Sequence, residues 1–238
     1  MTSIAPVVTL SPRDYDAVLF DLDGVLTKTA RVHAAAWEKL FNAFLKQRAA
    51  RTGEPFVPFS INADYYQYVD GKPRYDGVAS FLESRGIDLP FGSPDDGPGA
   101  ETVHGLGKLK DQYFTEQLEQ RGVEVFEPAI ALVRTLRAQD IKTAVVSSSN
   151  NCAAVLKAAG IAQLFDARVD GIDIAHLNLK GKPAPDAFLE GARRLKTEPA
   201  RAVVVEDAIA GVEAGRAGGF GCVIGVDHGG RSQALREF

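Results

Sequence analysis

Short apolar runs rich in valine and isoleucine recur along the chain, once near its start and four times in its second half. Uninterrupted runs of this kind are typical of strands that are buried on both faces of a sheet. The predicted strands are AVLF (17–20), TAVVSSS (143–149), ARVD (167–170), AVVVED (202–207) and GCVIGV (221–226). Their apolar character predicts a parallel sheet that is covered on both sides.

Amphipathic stretches lie between the later strands. Ile130, Val133 and Leu136, for example, follow one another at the spacing of a single helix face. The predicted helices of this half are 128–140, 151–160, 184–196 and 208–218. The alternation of strand and helix predicts an α/β fold, with helices wrapped around the parallel sheet.

The first two predicted strands are separated by about a hundred residues without a strand-like run. A helical pattern over 30–50 opens this segment, and we expect an inserted, mainly helical domain over 29–121. The sheet domain would then comprise 1–28 and 122–238. Within the insert, 50–66 and 93–105 read as long loops, and such loops are often functional, so we expect them to shape a lid.

Composition narrows the choice of partner and compartment. The 238 residues are 45% hydrophobic, enough for one sizeable domain with a smaller insert. A net charge of −4 gives no general attraction for nucleic acid, so we expect a small-molecule partner instead. Cys152 and Cys222 are far apart and have no further Cys or His at the spacing of zinc ligands, so the sequence does not indicate a zinc site.

The compartment is predicted from what the chain lacks. No apolar run is long enough for a membrane span, and the first residues lack the features of a signal peptide. We therefore expect a cytoplasmic protein without a membrane partner. The absence of a nucleic-acid partner follows from the net charge, and a monomer is expected as well.

Polar residues at the ends of the predicted strands are the candidates for chemistry, because ligands of open parallel sheets bind beyond the carboxyl ends of the strands. Asp21 and Asp23 follow the first strand, and Gly24 permits a tight turn there. One carboxylate can attack phosphorus and the other can move a proton. An ordinary acidic turn is the competing interpretation of this segment alone.

Three further clusters follow later strands. Ser147 to Ser149 with Asn150 and Asn151 can hold phosphate oxygens or simply cap a helix. Lys182, in a loop, can neutralise a phosphoryl group or merely be solvated. Glu206 and Asp207 offer the oxygen ligands that Mg²⁺ prefers, although Asp207 could also serve only as an N-cap. Their joint order after successive strands favours Mg²⁺-dependent phosphoryl transfer.

Four segments, FDLDGVLT, VVSSSN, GKPAPD and VVVEDAIAG, resemble in order the motifs of the haloacid dehalogenase superfamily. The position of the insert is similar to that of the helical cap in the β-phosphoglucomutase-like branch. The resemblance implies a Rossmann-like parallel sheet core with an inserted α-helical cap domain.

The resemblance continues inside the insert. His33 and Trp37 stand four residues apart on one helix face, GKPR contains Gly71 and Arg74, and Lys110 lies in GLGKLKDQ. The branch binds sugar phosphate with residues of these types. Taken singly, each could be a packed or solvated side chain.

The resemblance also implies roles in the reaction. Asp21 would accept the phosphoryl group and Asp23 would shuttle the proton. Ser147 and Lys182 would hold the transferring phosphate. The implied reaction interconverts β-glucose 1-phosphate and glucose 6-phosphate through the 1,6-bisphosphate.

Substrate and metal contacts are implied in the same way. Arg74 would clamp the distal phosphate. His33 and Lys110 would couple sugar-phosphate arrival to cap closure. The implied substrate-binding residues are His33, Trp37, Gly71, Arg74, Lys110, Ser149 and Asn151. The implied ligands of Mg²⁺ are Asp21, the carbonyl of Asp23, Glu206 and Asp207.

Two alternatives stay open. A sugar-phosphate phosphatase would use the same aspartyl-phosphate and release it to water, and a non-catalytic protein could bind sugar phosphate on the same fold. Dehalogenation is less favoured, because Asp23 and the acidic pair belong to phosphate chemistry.

The sequence departs from the family pattern at two places. Lys28 stands where the family more often has an acidic residue, which places a positive charge beside the nucleophile loop. The chain ends soon after GCVIGV, where members usually continue through another strand and helix, so we expect a trimmed or truncated edge.

Overall fold

The structure is a computed structural model that describes residues 8–228. Five parallel strands form one sheet in the order β3-β2-β1-β4-β5. They are β1 (Ala17–Phe20), β2 (Lys142–Val146), β3 (Ala167–Val169), β4 (Ala202–Glu206) and β5 (Cys222–Gly225). The predicted strands are confirmed, but β2 ends before the serines, which lie in the loop that follows it.

Strand β1 shows why the apolar runs are uninterrupted. Val18 and Phe20 belong to a hydrophobic cluster on one face of the sheet, whereas Ala17 and Leu19 belong to a cluster on the other. Side chains alternate between the faces of a strand, so a strand covered on both sides needs apolar residues at every position. The sheet is therefore the centre of a layered α/β fold.

The eight α-helices of the described residues lie between and beside the strands. They are α1 (Ala30–Thr52), α2 (Arg74–Ser84), α3 (Val103–Arg121), α4 (Glu127–Ala138), α5 (Cys152–Ala158), α6 (Gly171–His176), α7 (Asp186–Leu195) and α8 (Ile209–Ala217). Each of the five helices predicted with bounds is confirmed to within two residues at either end. The short α6 was not predicted; its first turn is stabilised by a capping box between Asp170 and Asp173.

The inserted segment has an apolar cluster of its own. Trp37 and Phe41 from α1 stack with ring centroids 5.3 Å apart, and Phe81 from α2 packs against Phe41. α1 to α3 surround this cluster. The mainly helical character expected of the insert is confirmed. Its division from the sheet domain at 29 and 121 stays a prediction, and the outermost residues 1–7 and 229–238 of the expected sheet domain lie outside the described residues.

The expectation of a loop across 50–66 is wrong at both ends. α1 continues to Thr52, and a π-helix occupies Ile61–Val69. The Ser60 side chain accepts a hydrogen bond from the backbone of Ala63, and the π-helix buries Tyr65, so capping and packing order this stretch. The irregular part is limited to residues 53–60.

The segment 93–105 is irregular until Thr102. The Thr102 hydroxyl accepts a hydrogen bond from the Gly105 backbone and starts α3 at Val103, so the last residues of the expected loop are helical. None of the helices within residues 8–228 is both long enough and apolar enough to cross a membrane. The expected trimmed edge after β5 falls mainly on residues outside the described range.

Candidate active site

The loop after β1 brings two carboxylates to the carboxyl edge of the sheet. Asp21 donates its backbone N–H to the carbonyl of Val205 in β4, 2.9 Å away, and so continues the strand by one residue. Gly24 has a φ of +93°, and a Cβ atom there would overlap the carboxylate of Asp207. A glycine is therefore required where this loop meets the loop after β4.

Lys182 lies behind these carboxylates rather than in front of them. Its Nζ is 2.6 Å from Asp21 Oδ1 and 2.5 Å from Glu206 Oε1, and its side chain is 1% exposed. Burial alone would lower the pKa of Lys182, but the two carboxylates outweigh that effect and raise the pKa well above its usual range. Lys182 is thus a buried cation that joins the loops after β1 and β4.

An acidic cluster closes the same edge. Carboxylate oxygens of Asp21, Glu206 and Asp207 lie within 4.8 Å of one another, and all three residues are buried. Glu206 Oε2 also accepts the backbone N–H groups of Asp207 and Ala208 at 2.8 and 2.9 Å. Gly211 leaves the space that the Glu206 side chain fills.

This cluster carries more negative charge than Lys182 can balance. Burial raises the pKa of Asp21 well above its usual range, and Glu206 and Asp23 add to the rise although Lys182 opposes it. Three converging carboxylates with an excess of negative charge fit a hard divalent cation such as Mg²⁺. The carboxylate of Asp23 does not belong to this cluster, which leaves only its carbonyl as the predicted ligand.

Asp23 points instead toward the insert. It accepts a short hydrogen bond from the Thr29 hydroxyl, and His33 Nε2 lies 3.4 Å from its Oδ1. Burial favours the neutral acid, but His33, Thr29 and Lys110 outweigh it and lower the pKa of Asp23. Asp21 and Asp23 are therefore held in different electrostatic environments: the surroundings of Asp21 favour its neutral acid, and those of Asp23 favour its carboxylate. A cation bound beside Asp21 would favour the ionised form that a nucleophile needs.

His33 and Lys110 form the next pair. Lys110 Nζ is 2.6 Å from His33 Nδ1 and 5.0 Å from the centroid of the Trp37 ring. Burial lowers the pKa of Lys110 to about 7, and the Arg74 guanidinium adds to the effect. Burial, followed by the charge of Lys110, also lowers the pKa of His33.

The serine loop after β2 faces this group from the sheet side. Ser147 is buried, its Oγ is 3.5 Å from Asp23 Oδ2, and it accepts the backbone N–H of Ser149 at 3.1 Å. The Ser148 hydroxyl donates to the carbonyl of Gly71 at 2.9 Å. Gly71 has a φ of +72°, and a Cβ atom there would come within 3.1 Å of the Ala208 Cβ, so the insert lies close to the loops after β2 and β4.

Arg74 enters the site from the first residue of α2. Its Nη2 donates to Asp111 Oδ1 at 2.7 Å, and Asn151 Nδ2 donates to the same oxygen at 2.7 Å. Asp111 thereby links two helices of the insert to Asn151, the residue immediately before α5. This contact was not predicted from the sequence.

One cavity gathers almost all of the predicted site residues. Those in its wall are Asp21, Asp23, His33, Trp37, Gly71, Arg74, Lys110, Ser147, Ser149, Asn151, Glu206 and Asp207. Lys182 is the exception, because it is buried beneath Asp21 and Glu206. Trp37 also packs in the apolar cluster of the insert and is 3% exposed, so it combines lining with packing.

The cavity wall also includes Ser148 and Asn150 of the predicted serine cluster, and four polar residues that sequence reasoning missed: Tyr65, Asp70, Lys72 and Asp111. For Lys72 and Asp111, the sequence offered only their proximity to predicted site residues: Lys72 lies inside GKPR, and Asp111 follows Lys110. Tyr65 gave no signal, because it falls in the segment that was expected to be a loop. Its pKa is raised well above its usual range by burial, with Asp70 adding to the rise.

The charge at Lys28 is accommodated at the surface. Lys28 Nζ lies 2.7 Å from Glu124 Oε2, and the Lys28 backbone N–H donates to the Glu124 carbonyl. Both side chains are largely exposed. Lys28 lies in the segment that leads into the insert and Glu124 in the segment that leads back to the sheet, so their ion pair joins the two connections. The hydrogen bond from Thr29 to Asp23 is present beside it.

The chain resembles characterised protein families over most of its length. A family model described as haloacid dehalogenase-like hydrolase matches residues 15–219. A protein of Mycobacterium tuberculosis named beta-phosphoglucomutase is 49% identical over 221 residues, which cover 93% of this chain and 84% of that protein. A phosphorylated carbohydrates phosphatase of Thermotoga maritima is 27% identical, with coverage of 90% and 86%.

The fold has close matches among solved structures. A crystal structure of beta-phosphoglucomutase from Clostridium difficile superposes with a TM-score of 0.72 at 25% sequence identity. It covers 90% of this chain and 86% of that one.

Proposed function

The chain belongs to the haloacid dehalogenase-like hydrolase family of enzymes, and from this premise we propose that it transfers the phosphoryl group of a sugar phosphate through an aspartyl-phosphate at Asp21. The relative named beta-phosphoglucomutase, 49% identical, supports a sugar phosphate as the substrate class. The carboxylate of Asp21 lies in the cavity wall, at the carboxyl end of the central strand, where ligands of open sheets bind.

The proposed reaction interconverts β-glucose 1-phosphate and glucose 6-phosphate. An Asp21 carboxylate oxygen attacks phosphorus of the 1,6-bisphosphate, the bond from phosphorus to the sugar oxygen breaks, and Asp23 gives that oxygen a proton. In the second half-reaction, Asp23 takes the proton from a sugar hydroxyl, which attacks the aspartyl-phosphate and frees Asp21. Ser147 holds the transferring phosphate in place, and Lys182, which is buried beneath Asp21 and Glu206, offsets part of the negative charge of these two carboxylates.

Mg²⁺ is part of the proposal. Asp21, the carbonyl of Asp23, Glu206 and Asp207 would hold it, and the bound ion would offset the negative charge that gathers around the phosphoryl group. Lys182 already pairs with two carboxylates, Asp21 and Glu206, so its single positive charge is too small to balance the phosphoryl group as well.

The observation that carries the mutase reading is the presence of Arg74 in the same cavity as Asp21. A mutase substrate carries one phosphate at the reacting end and, as the bisphosphate, a second at the far end. The planar guanidinium of Arg74, with Asn151 beside it, suits the distal phosphate. Either end of the bisphosphate could then be presented to Asp21.

A sugar-phosphate phosphatase remains the second candidate. The relative from Thermotoga maritima that is named a phosphatase favours it, and the residues around Asp21 would serve both reactions. The two differ only in whether a sugar hydroxyl or water accepts the phosphoryl group. A cytoplasmic, monomeric state stays a prediction from the sequence.

The deciding experiment supplies β-glucose 1-phosphate, Mg²⁺ and a trace of the 1,6-bisphosphate, and follows glucose 6-phosphate and free phosphate together. Formation of glucose 6-phosphate without stoichiometric phosphate release is expected. Phosphate release without the isomer would establish the phosphatase instead. A lack of turnover of any phosphate ester, together with no trapping of a beryllium or aluminium fluoride at Asp21, would overturn both.

A further inference from the structure

Asp111 occupies a place among the ligands that the proposed function assigns to the distal phosphate. It lies on α3 directly after Lys110, and its Oδ1 accepts one hydrogen bond from Arg74 and one from Asn151, each 2.7 Å long. The side chain of Arg74 is 14% exposed and that of Asp111 is 31% exposed. The carboxylate is thus an anion that is built into the site.

The two donors approach Asp111 from different parts of the molecule. Arg74 begins α2 in the insert, whereas Asn151 immediately precedes α5 beside the sheet. The Asp111 oxygen accepts hydrogen bonds from both side chains, as a phosphate oxygen at the same place would. Carboxylates and phosphates both accept charge-assisted hydrogen bonds from a guanidinium group. Asp111 therefore uses the same donors that a bound dianion would need.

Asp111 also helps to hold the insert against the sheet. Its hydrogen bond from Asn151 and the bond from the Ser148 hydroxyl to the Gly71 carbonyl both join the insert to the loop after β2. All four residues line the cavity that contains Asp21. A phosphate that binds both Arg74 and Asn151 must therefore replace the Asp111 oxygen between them.

We infer that Asp111 competes with the distal phosphate for Arg74 and Asn151 and thereby lowers the affinity for anions at this end of the cavity. This inference rests on the proposed function for its ligand. An anion that binds only at Arg74 must displace Asp111 and also bear the repulsion between two negative groups. The same displacement weakens the binding of a sugar phosphate, whose further contacts at Asp21 keep its total affinity above that of an anion bound only at Arg74.

The test compares wild-type protein with Asp111→Asn, which keeps the side-chain shape and removes the charge. Dissociation constants of glucose 6-phosphate and of sulfate are measured by calorimetry with Mg²⁺ present. We expect both to fall by about tenfold, as the removal of a like charge from an ion-binding site predicts. The KM of p-nitrophenyl phosphate, which has no distal anion, should change by less than about twofold.

Two further variants sharpen the comparison. Asp76→Asn removes a different carboxylate of the insert, one that lies on α2 and interacts with Lys72, and it should change neither dissociation constant. In the double variant Arg74→Ala with Asp111→Asn, the tighter binding of sulfate and glucose 6-phosphate expected from Asp111→Asn should be lost. Asp111→Ser, which shortens the side chain as well, should act in the same direction as Asp111→Asn.

The outcomes separate the inference from the proposed function. Unchanged or weaker binding of sulfate in both Asp111 variants would show that Asp111 only orients Arg74, and the inference would be wrong. A gain that persists without Arg74 would also refute it, because the anion would then bind elsewhere. Tighter sulfate binding in a protein that turns over no sugar phosphate would support the inference and refute the proposed function alone.

Discussion

The ammonium group of Lys182 lies 2.6 Å from the carboxylate of Asp21, and both side chains are buried. The residues are separated by 161 positions in the chain, so the contact depends on the parallel arrangement of the strands that precede them. The same ammonium group reaches Glu206. Loss of this cation would leave two buried carboxylates without compensation.

Lys182→Met is therefore expected to lower both stability and turnover. Removal of one partner from a buried ion pair costs about 3–5 kcal/mol, because the remaining charge stays desolvated. Urea denaturation and turnover of p-nitrophenyl phosphate with Mg²⁺ measure the two effects. Lys180→Met, an exposed lysine of the same loop, is the control and should behave like wild type. A Lys182→Met protein with wild-type turnover would contradict its proposed role.

The different surroundings of Asp21 and Asp23 predict different defects. Asp21→Asn should lower turnover by at least about 10⁴-fold, as the loss of a catalytic nucleophile does in other enzymes. Asp23→Asn should still allow slow phosphorylation of Asp21, since the attacking oxygen remains. Intact-protein mass spectrometry after incubation with the 1,6-bisphosphate detects the phosphorylated form. Phosphorylation of the Asp21→Asn protein would place the nucleophile elsewhere.

Arg74→Ala should separate sugar phosphates from small esters. Loss of a charge-assisted contact to the distal phosphate should raise the KM for β-glucose 1-phosphate by about thirtyfold or more. The KM for p-nitrophenyl phosphate should change little, because that ester has nothing to place at Arg74. Arg74→Lys keeps the charge but not the planar guanidinium group, so its KM for β-glucose 1-phosphate should lie between those of wild type and Arg74→Ala. Equal losses on both substrates would remove Arg74 from the distal site.

The sheet and its chemistry could be predicted from sequence because both depend on local patterns. Apolar runs mark strands that are buried on two faces, and polar residues at their carboxyl ends must meet at one edge. Asp21, Ser147 and Glu206 follow from that rule alone. The cap residues were reached only through resemblance, since nothing in the periodicity of the insert assigns His33 or Arg74 to the cavity.

Other features depend on tertiary contacts that no local pattern records. The π-helix at Ile61–Val69 shifts backbone hydrogen bonds by one residue, as in the bond from the N–H of Asp70 to the carbonyl of Tyr65, and this register brings Tyr65 to the cavity. Asp111 is a carboxylate within a polar helix. Only the approach of α2 and α5 to the same oxygen distinguishes it from the surface carboxylates of α3.

The last prediction concerns pH and rests on Lys110. Burial and Arg74 lower its pKa to about 7, so the side chain is an ammonium group below neutrality and an uncharged amine above it. A phosphate monoester loses its second proton near pH 6 and changes little in charge above pH 7. Between pH 7 and pH 9, affinity for glucose 6-phosphate should therefore fall as Lys110 loses its charge.

We expect the dissociation constant to rise by about threefold to tenfold over that interval, which corresponds to one lost cation at a partly screened distance. Lys110→Met should bind weakly at pH 7 and show a nearly flat profile. Lys72→Met is the matched control: the pKa of Lys72 is also lowered by burial, but its ammonium donates to Ser80 rather than to His33. A profile that is flattened by Lys72→Met and unchanged by Lys110→Met would assign the titration to Lys72, because only loss of the titrating group can remove the pH dependence.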